Sequence, residues 1–161
     1  MLTAGLLTSI VLACAHVMAQ SGFDLVPLQG GRFVMGDPKG EPDEAPSEVA
    51  VASFRMMRHE VTNQQFGVFV AASGHVTDPE RTGFGYIWNG RWRRVRGADW
   101  RHPFGRDSTI AGRGGHPVVQ VSAQDAAAFC RFYGLRLPSG REMHAYLEEQ
   151  FVLATARAAA R

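Results

Sequence analysis

Few side chains in this chain stand where they could do covalent or metal chemistry. The 2 cysteines, Cys14 and Cys130, are too few for a disulfide scaffold and share no zinc-type spacing with histidine. The 6 histidines, His16, His59, His75, His102, His116 and His144, are scattered. No two fall at i, i+4, and there is no His-Glu-x-x-His helix, so each reads as a surface or hydrogen-bonding residue. No serine occupies a Gly-x-Ser-x-Gly elbow. Gly112-Arg113-Gly114-Gly115 lacks the Lys-Ser/Thr pair of a phosphate-binding loop and reads as an ordinary loop. Cys130 falls on the apolar side of an expected helix. That position suits a core thiol, with half of a disulfide or a nucleophile as the alternatives.

Aromatic and charged residues give a second set of candidates. Trp88, Trp92 and Trp100 lie in the segment Arg81–Arg113, which carries eight arginines against Asp99 and Asp107. Aromatics between arginines suit a nucleic-acid surface. Here the arginines are spread over expected turns and the chain nets only +2, so no nucleic-acid partner is expected. The three tryptophans are candidate contacts for a ligand, and packing in a hairpin and a core is the plainer reading. Asp37–Glu48 carries five acids and one lysine, punctuated by Pro38, Pro42 and Pro46. Its ligand spacing and turn glycine do not match a calcium loop, so a solvated loop is expected.

The elements that must position these residues have clear signals. Arg32–Met35 and Val49–Met56 read as strands, the second with Val49, Val51 and Phe54 near one face. Tyr86–Trp92 reads as a hairpin whose Asn89-Gly90 pair suits a type I′ turn. Val118–Val121 reads as a short apolar strand. Thr62 with Gln65, Ser122 with Asp125 and Ser139 with Glu142 are capping-box pairs that start three helices. The first helix presents Phe66, Phe69 and Val70; the second presents Ala126, Phe129, Cys130 and Tyr133 and ends at Gly134. The third presents Met143, Tyr146, Leu147, Gln150, Phe151 and Ala154. Short strands and three helices without a βαβ rhythm predict an α+β fold.

With 161 residues, 45% apolar and 20% charged, the composition is that of an ordinary globular domain. It excludes disordered, collagen-like and polytopic membrane chains. The first 23 residues contain no charged side chain, and Leu2–Ala15 has the length of a signal-peptide apolar core. Cleavage after Ala19 is expected, which makes residues 1–19 a signal peptide and residues 20–161 an exported chain, periplasmic or secreted. Cys130 would then be its one thiol. The alternatives are a membrane anchor through residues 2–19, lipidation at Cys14 and a mis-assigned start.

A series of blocks, in order, carries more information than any residue alone. Gly31-Arg32-Phe33-Val34-Met35-Gly36 opens it, and Arg58-His59-Glu60-Val61-Thr62-Asn63-Gln64-Gln65-Phe66 follows. Then come His116-Pro117-Val118-Val119-Gln120-Val121-Ser122-Ala123-Gln124-Asp125-Ala126, Phe129-Cys130 and Leu135-Arg136-Leu137-Pro138-Ser139. The series resembles the formylglycine-generating enzyme, or sulfatase-modifying factor, family over residues 31–139, the first half of that family's domain.

The resemblance implies a fold related to the C-type lectins, with little regular structure and long loops. It implies, for the best-known branch, oxidation of a sulfatase cysteine to formylglycine by molecular oxygen, with copper held by two cysteines and calcium bound in loops. Other branches are non-heme iron enzymes acting on small thiols, or exported oxidases that mature a secreted chromophore. A sulfatase or another exported protein is the implied partner of a full-length form. Thr62 and Ser122 are explained as helix caps, and Phe66 and Val118 as core, so none is carried over as catalytic.

After Ser139 the likeness fades. Gly140 and Met143 stand where the family has an acid and a tryptophan, while Glu142 still fits. The family's second half, with its calcium loops and cysteine pair, has no counterpart here; Cys130 resembles a position that some relatives link to that half. The expectation is a partial, apparently incomplete domain over residues 20–161 with no catalytic, cofactor-binding or metal-binding residue of its own. No cofactor is expected for the chain as it stands. A truncated or frameshifted gene and a genuine short protein both account for this ending. The alternative function is a stand-alone exported lectin-like module that binds a protein or glycan through the Phe84–Arg113 loops, with Trp88, Trp92 and Trp100 as contacts. A decayed gene product without function is the third reading.

Overall fold

The computed structural model of the chain describes residues 22–41 and 44–147. The expected signal segment, with Cys14 and His16, lies outside the described residues, as do Gln150, Phe151 and Ala154. Helices and small antiparallel sheets are mixed along the chain, in two compact units. The first unit runs to Phe23 and resumes over His59–Leu137; the second comprises Asp24–Arg58 and the chain from Pro138.

In the second unit, β1 (Leu25–Leu28) pairs with β4 (Phe54–Met57), and β2 (Gly31–Met35) pairs with β3 (Ser47–Val51). Both pairs are antiparallel, and the register runs unchanged from Leu28↔Phe54 to Gly31↔Val51. One ribbon is therefore interrupted at Gln29-Gly30 against Ala52-Ser53. This corrects the single strand expected over Val49–Met56. At Gly30 a side chain would stand 2.5 Å from Ser53 N and Val51 O, and the Gly30 N–H donates to Ser53 Oγ at 3.0 Å. Only glycine lets the two backbones approach that closely. Leu28 and Val49 are buried along the ribbon. The loop from Asp37 turns back through Asp37 N–H to Glu44 O, at 2.9 Å.

The third expected helix starts at residue 140 in this same unit and is described to residue 147. Its capping box is formed: Glu142 Oε2 accepts from Ser139 N and Oγ at 2.8 and 2.9 Å. Met143 and Leu147, expected on a buried face, are exposed instead.

The first unit holds α1 (Asn63–Ser73), α2 (Asp78–Thr82), the hairpin β5 (Phe84–Trp88) and β6 (Trp92–Arg96), and α3 (Ala123–Phe132). Thr62 and Ser122 cap α1 and α3 with reciprocal bonds to Gln65 and Asp125, as the spacing predicts. The other N-terminal donors of α1 are also satisfied, since Asn63 and Gln64 N–H donate to His116 O and Gly114 O. The glycine-rich loop thus closes a helix end. At the end of α3, Gly134 takes φ 67°, and Gly134 and Leu135 N–H donate to Arg131 O and Cys130 O. These two bonds form a Schellman stop. The second helix, α2, was not expected. Its signal is present as Thr77-x-x-Glu80 with Pro79 in the first turn, and the capping box is complete.

An aromatic cluster forms the core of this unit. Phe66 and Phe69 from α1 meet Phe129 from α3, with ring centroids 5.9 and 5.5 Å apart, and Trp100 meets Phe66 at 5.3 Å. Phe23, Phe132 and Tyr133 extend it. Val118 is half-buried, short of the core position expected.

Two further expectations are corrected here. The register Trp88↔Trp92 leaves a three-residue connection, and Gly90 alone within it has a positive φ, 71°. A type I′ turn needs two such residues, so Asn89-Gly90 does not form one. Val118–Val121 is not a strand: Val118 N–H donates to Val61 O, and Gln120 turns into left-handed backbone at φ 58°. The Gln120 amide, rather than a strand, then completes the edge of β5. It donates to Tyr86 O and Pro103 O, each at 2.9 Å, and accepts from Tyr86 N–H at 3.1 Å. Gly85 leaves room for this amide, whose oxygen would lie 2.1 Å from a side chain there.

Candidate functional site

Two polar or aromatic assemblies in the first unit stand out. The first joins the chain after α1 to the starts of α2 and α3. Asp125 is fully buried, and its carboxyl accepts from Ser122 N–H at 2.9 Å and Asp78 N–H at 3.1 Å. His75 Nε2 lies 2.8 Å from the same carboxyl, and the His75 ring rests 5.1 Å from Phe69. Ser122 Oγ donates to Asp78, which also pairs with Arg81. One capping acid therefore serves two helix starts and a histidine. Sequence spacing shows Asp125 only as a local cap, because the 47-residue reach to Asp78 is a tertiary fact.

Serine, histidine and aspartate meet here without the order of a nucleophilic relay. The Ser122 hydroxyl gives its hydrogen to Asp78 and accepts from Asp125 N–H, while His75 bonds Asp125. The histidine is not aimed at the serine oxygen; the hydroxyl's acceptor is Asp78, whose carboxyl is held below its usual value and is a correspondingly weak base for nucleophilic catalysis. The assembly braces the fold.

The Ser122 hydrogen bond, followed by the Arg81 hydrogen bond and charge, holds the Asp78 carboxyl below its usual 3.8. A carboxyl lowered on folding adds stability above its unfolded value and loses it as pH falls through the lower folded value. Acid titration of the urea midpoint should accordingly show a decline beginning near pH 4, and Asp78→Asn should flatten it. An equally steep decline in the variant would remove Asp78 from the acid response.

The second assembly is the β5–β6 hairpin. Trp88 and Trp92, two of the three candidate contacts, are 60% and 68% exposed and meet edge to face at 5.4 Å. Trp100 does not join them. At 4% exposure it is a core residue, which corrects its assignment as a ligand contact. An Asp99 turn places it there: Asp99 Oδ1 accepts from Arg101 and His102 N–H at 2.7 and 2.9 Å. The Arg101 guanidinium covers the Trp100 ring at 4.1 Å and pairs with Glu80, whose other oxygen caps α2. Beside the hairpin, an open groove of about 450 Å³ is lined by Val95, Arg96, Phe104, Gly105, Arg106 and Asp107. It gathers no nucleophile and base.

Metal donors are dispersed. Among the described residues, no three His, Cys, Asp or Glu side chains are grouped to hold an ion. Cys130 is buried on α3, as its position predicts, and burial pushes its thiol up from the ordinary value. A thiol so placed resists the thiolate form that a soft metal needs. Among the described residues Cys130 is the one cysteine, so they do not supply the two neighbouring thiolates of a copper site. Two other histidines are engaged apart from any metal-type cluster: His102 Nδ1 lies 3.1 Å from Asp99, and His144 stacks on Phe33 at 5.2 Å.

The blocks that resembled a known family coincide with these architectural sites: the Thr62 and Ser122 caps, the Phe66 core and the Phe129-Cys130 pair. The chain belongs to the family of the sulfatase-modifying factor enzyme 1-like domain, whose model matches residues 14–146. It is 43% identical over 147 residues to the formylglycine-generating enzyme of Mycobacterium tuberculosis, covering 74% of this chain and 49% of that protein. With the Bos taurus formylglycine-generating enzyme it shares 39% identity over 140 residues, covering 73% and 37%. A Mus musculus protein named inactive C-alpha-formylglycine-generating enzyme 2 is 33% identical over 154 residues, covering 82% and 50%. The chain thus spans about half the length or less of these relatives.

Proposed function

We propose that this polypeptide carries the scaffold portion of a formylglycine-generating-type protein and does not itself oxidise a sulfatase cysteine. The observation behind this reading is the donor set. One described cysteine, buried and held as a thiol, stands where the chemistry asks for two neighbouring thiolates. Short elements, small sheets and long loops are in keeping with the C-type-lectin-like fold the family implies. The relatives named as formylglycine-generating enzymes favour a sulfatase as the partner of a full-length form. The uncharged first 23 residues favour export to the periplasm or beyond. No cofactor is assigned to the polypeptide as it stands.

Incubating the purified chain with a cysteine-containing sulfatase peptide, copper(I) and oxygen, followed by mass spectrometry, tests this directly. Unchanged peptide is expected. Formylglycine in the product, from the natural chain or from Cys130→Ala, would overturn the proposal.

The exposed Trp88–Trp92 pair favours a second reading, an exported ligand-binding module. Its contacts would be Trp88 and Trp92, without Trp100.

A further inference from the structure

We propose that the β5–β6 hairpin is a docking surface for an anionic phospholipid bilayer. The antiparallel register places Trp88 opposite Trp92, Tyr86 opposite Arg94 and Phe84 opposite Arg96, so these six residues share one face. Tyr86 is 56% exposed, and both tryptophans are still more open. On the other face Gly85 is buried and Ile87 and Val95 are half-buried. The Gln120 amide pins Tyr86 by both backbone groups, which holds the aromatic face in place.

Charge on this hairpin is of one sign, with Arg94 and Arg96 on the aromatic face, Arg93 on the other face and Arg91 in the turn. Residues 82–98 hold Arg91, Arg93, Arg94 and Arg96 and no acid, which leaves 13 basic against 15 acidic residues in the rest of the chain. Nearby, Arg81 and Arg101 are paired with Asp78 and Glu80. Among the described residues, none of the four hairpin arginines has an acidic partner; Arg94 instead lies over the Phe84 ring at 3.4 Å. Unpaired cations beside exposed tryptophan and tyrosine match the two demands of an anionic membrane surface. Indole and phenol rings settle at the headgroup level, and arginines are drawn to the negative leaflet. A single-stranded nucleic acid fits less well. The two indoles meet at 67° rather than presenting parallel faces to successive bases.

The apolar stretch Leu2–Ala15 can bring the chain to a bilayer by itself, so vesicle capture is not the readout. The full chain should be mixed with vesicles of phosphatidylglycerol and phosphatidylcholine whose acyl chains are brominated, and tryptophan emission followed. Quenching is expected with these vesicles and not with phosphatidylcholine alone, and it should fade as salt is raised. Trp88→Phe/Trp92→Phe, which leaves the buried Trp100 as the reporter, should lose the quenching. Arg94→Glu/Arg96→Glu, checked for unchanged circular dichroism, should weaken it at least tenfold in lipid concentration. Equal quenching by neutral vesicles, or its survival in either variant, would overturn the proposal. So would an emission change with heparin or single-stranded DNA but none with vesicles, which would assign the face to a soluble polyanion.

Discussion

Phe66→Ala should lower the unfolding free energy by about 3–5 kcal/mol, the usual loss when a buried phenylalanine is cut back in a packed core. At 1% exposure Phe66 lies among Phe69, Trp100 and Phe129 in the aromatic cluster. Its ring stacks on Phe129 at 14° and 5.9 Å and meets Phe69 and Trp100 edge to face. Removing it opens a cavity between α1, α3 and the Asp99–His102 turn, into which a packed surrounding relaxes only partly. Domains are stable by about 5–15 kcal/mol, so the loss is a large share of the total. The control lies two residues away. Val68 is on the same helix but exposed, and Val68→Ala should change stability by about 0.5 kcal/mol or less. Urea unfolding of both variants decides the matter, and equal midpoints would mean that the cluster does not hold the unit together.

Asp125→Ala should be comparably damaging, by about 3 kcal/mol or more, for a different reason. A buried polar group whose partner is removed loses the full benefit of its desolvated bond, about 1–3 kcal/mol for each group stranded. Here three groups converge on one carboxyl: the Ser122 and Asp78 N–H donors, and His75 Nε2 at 2.8 Å. Two helix starts lose their common acceptor at once, and His75 is left against Phe69 without its partner. Asp125→Asn retains an acceptor oxygen and should recover part of the loss. Separate His75→Ala and Asp125→Ala variants, compared with the double variant, would show the coupling. Strictly additive losses would mean that His75 and Asp125 act independently.

Much of the local structure is legible in the sequence because it is set by neighbours. Capping boxes at Thr62, Ser122 and Ser139, the stop at Gly134 and the hairpin around Gly90 depend on residues within four or five positions of one another. The motif blocks, too, disclose family membership, since they combine those caps with core positions such as Phe66 and Phe129. Thr77-x-x-Glu80 shows that a local signal can be passed over when its helix spans only Asp78–Thr82.

Distant contacts decided the rest. Val49–Met56 has the pattern of one strand, yet it is interrupted at Ala52-Ser53, where Gly30 approaches closely and its N–H donates to Ser53 Oγ. Val118–Val121 is apolar enough for a strand, but the Gln120 side chain reaches β5 first and occupies its edge. The three tryptophans are indistinguishable by type and spacing. Trp88 and Trp92 face outward, while the Asp99 turn sends Trp100 into the aromatic core. Asp125, a local cap by spacing, becomes the meeting point of α2, α3 and His75 only when α1 has been folded against α3. Residue type and short-range spacing determine which helices and turns can start. Which side chains end up buried, paired or open to a partner is determined by packing between elements, because each such outcome depends on what another part of the chain brings within hydrogen-bonding or van der Waals reach.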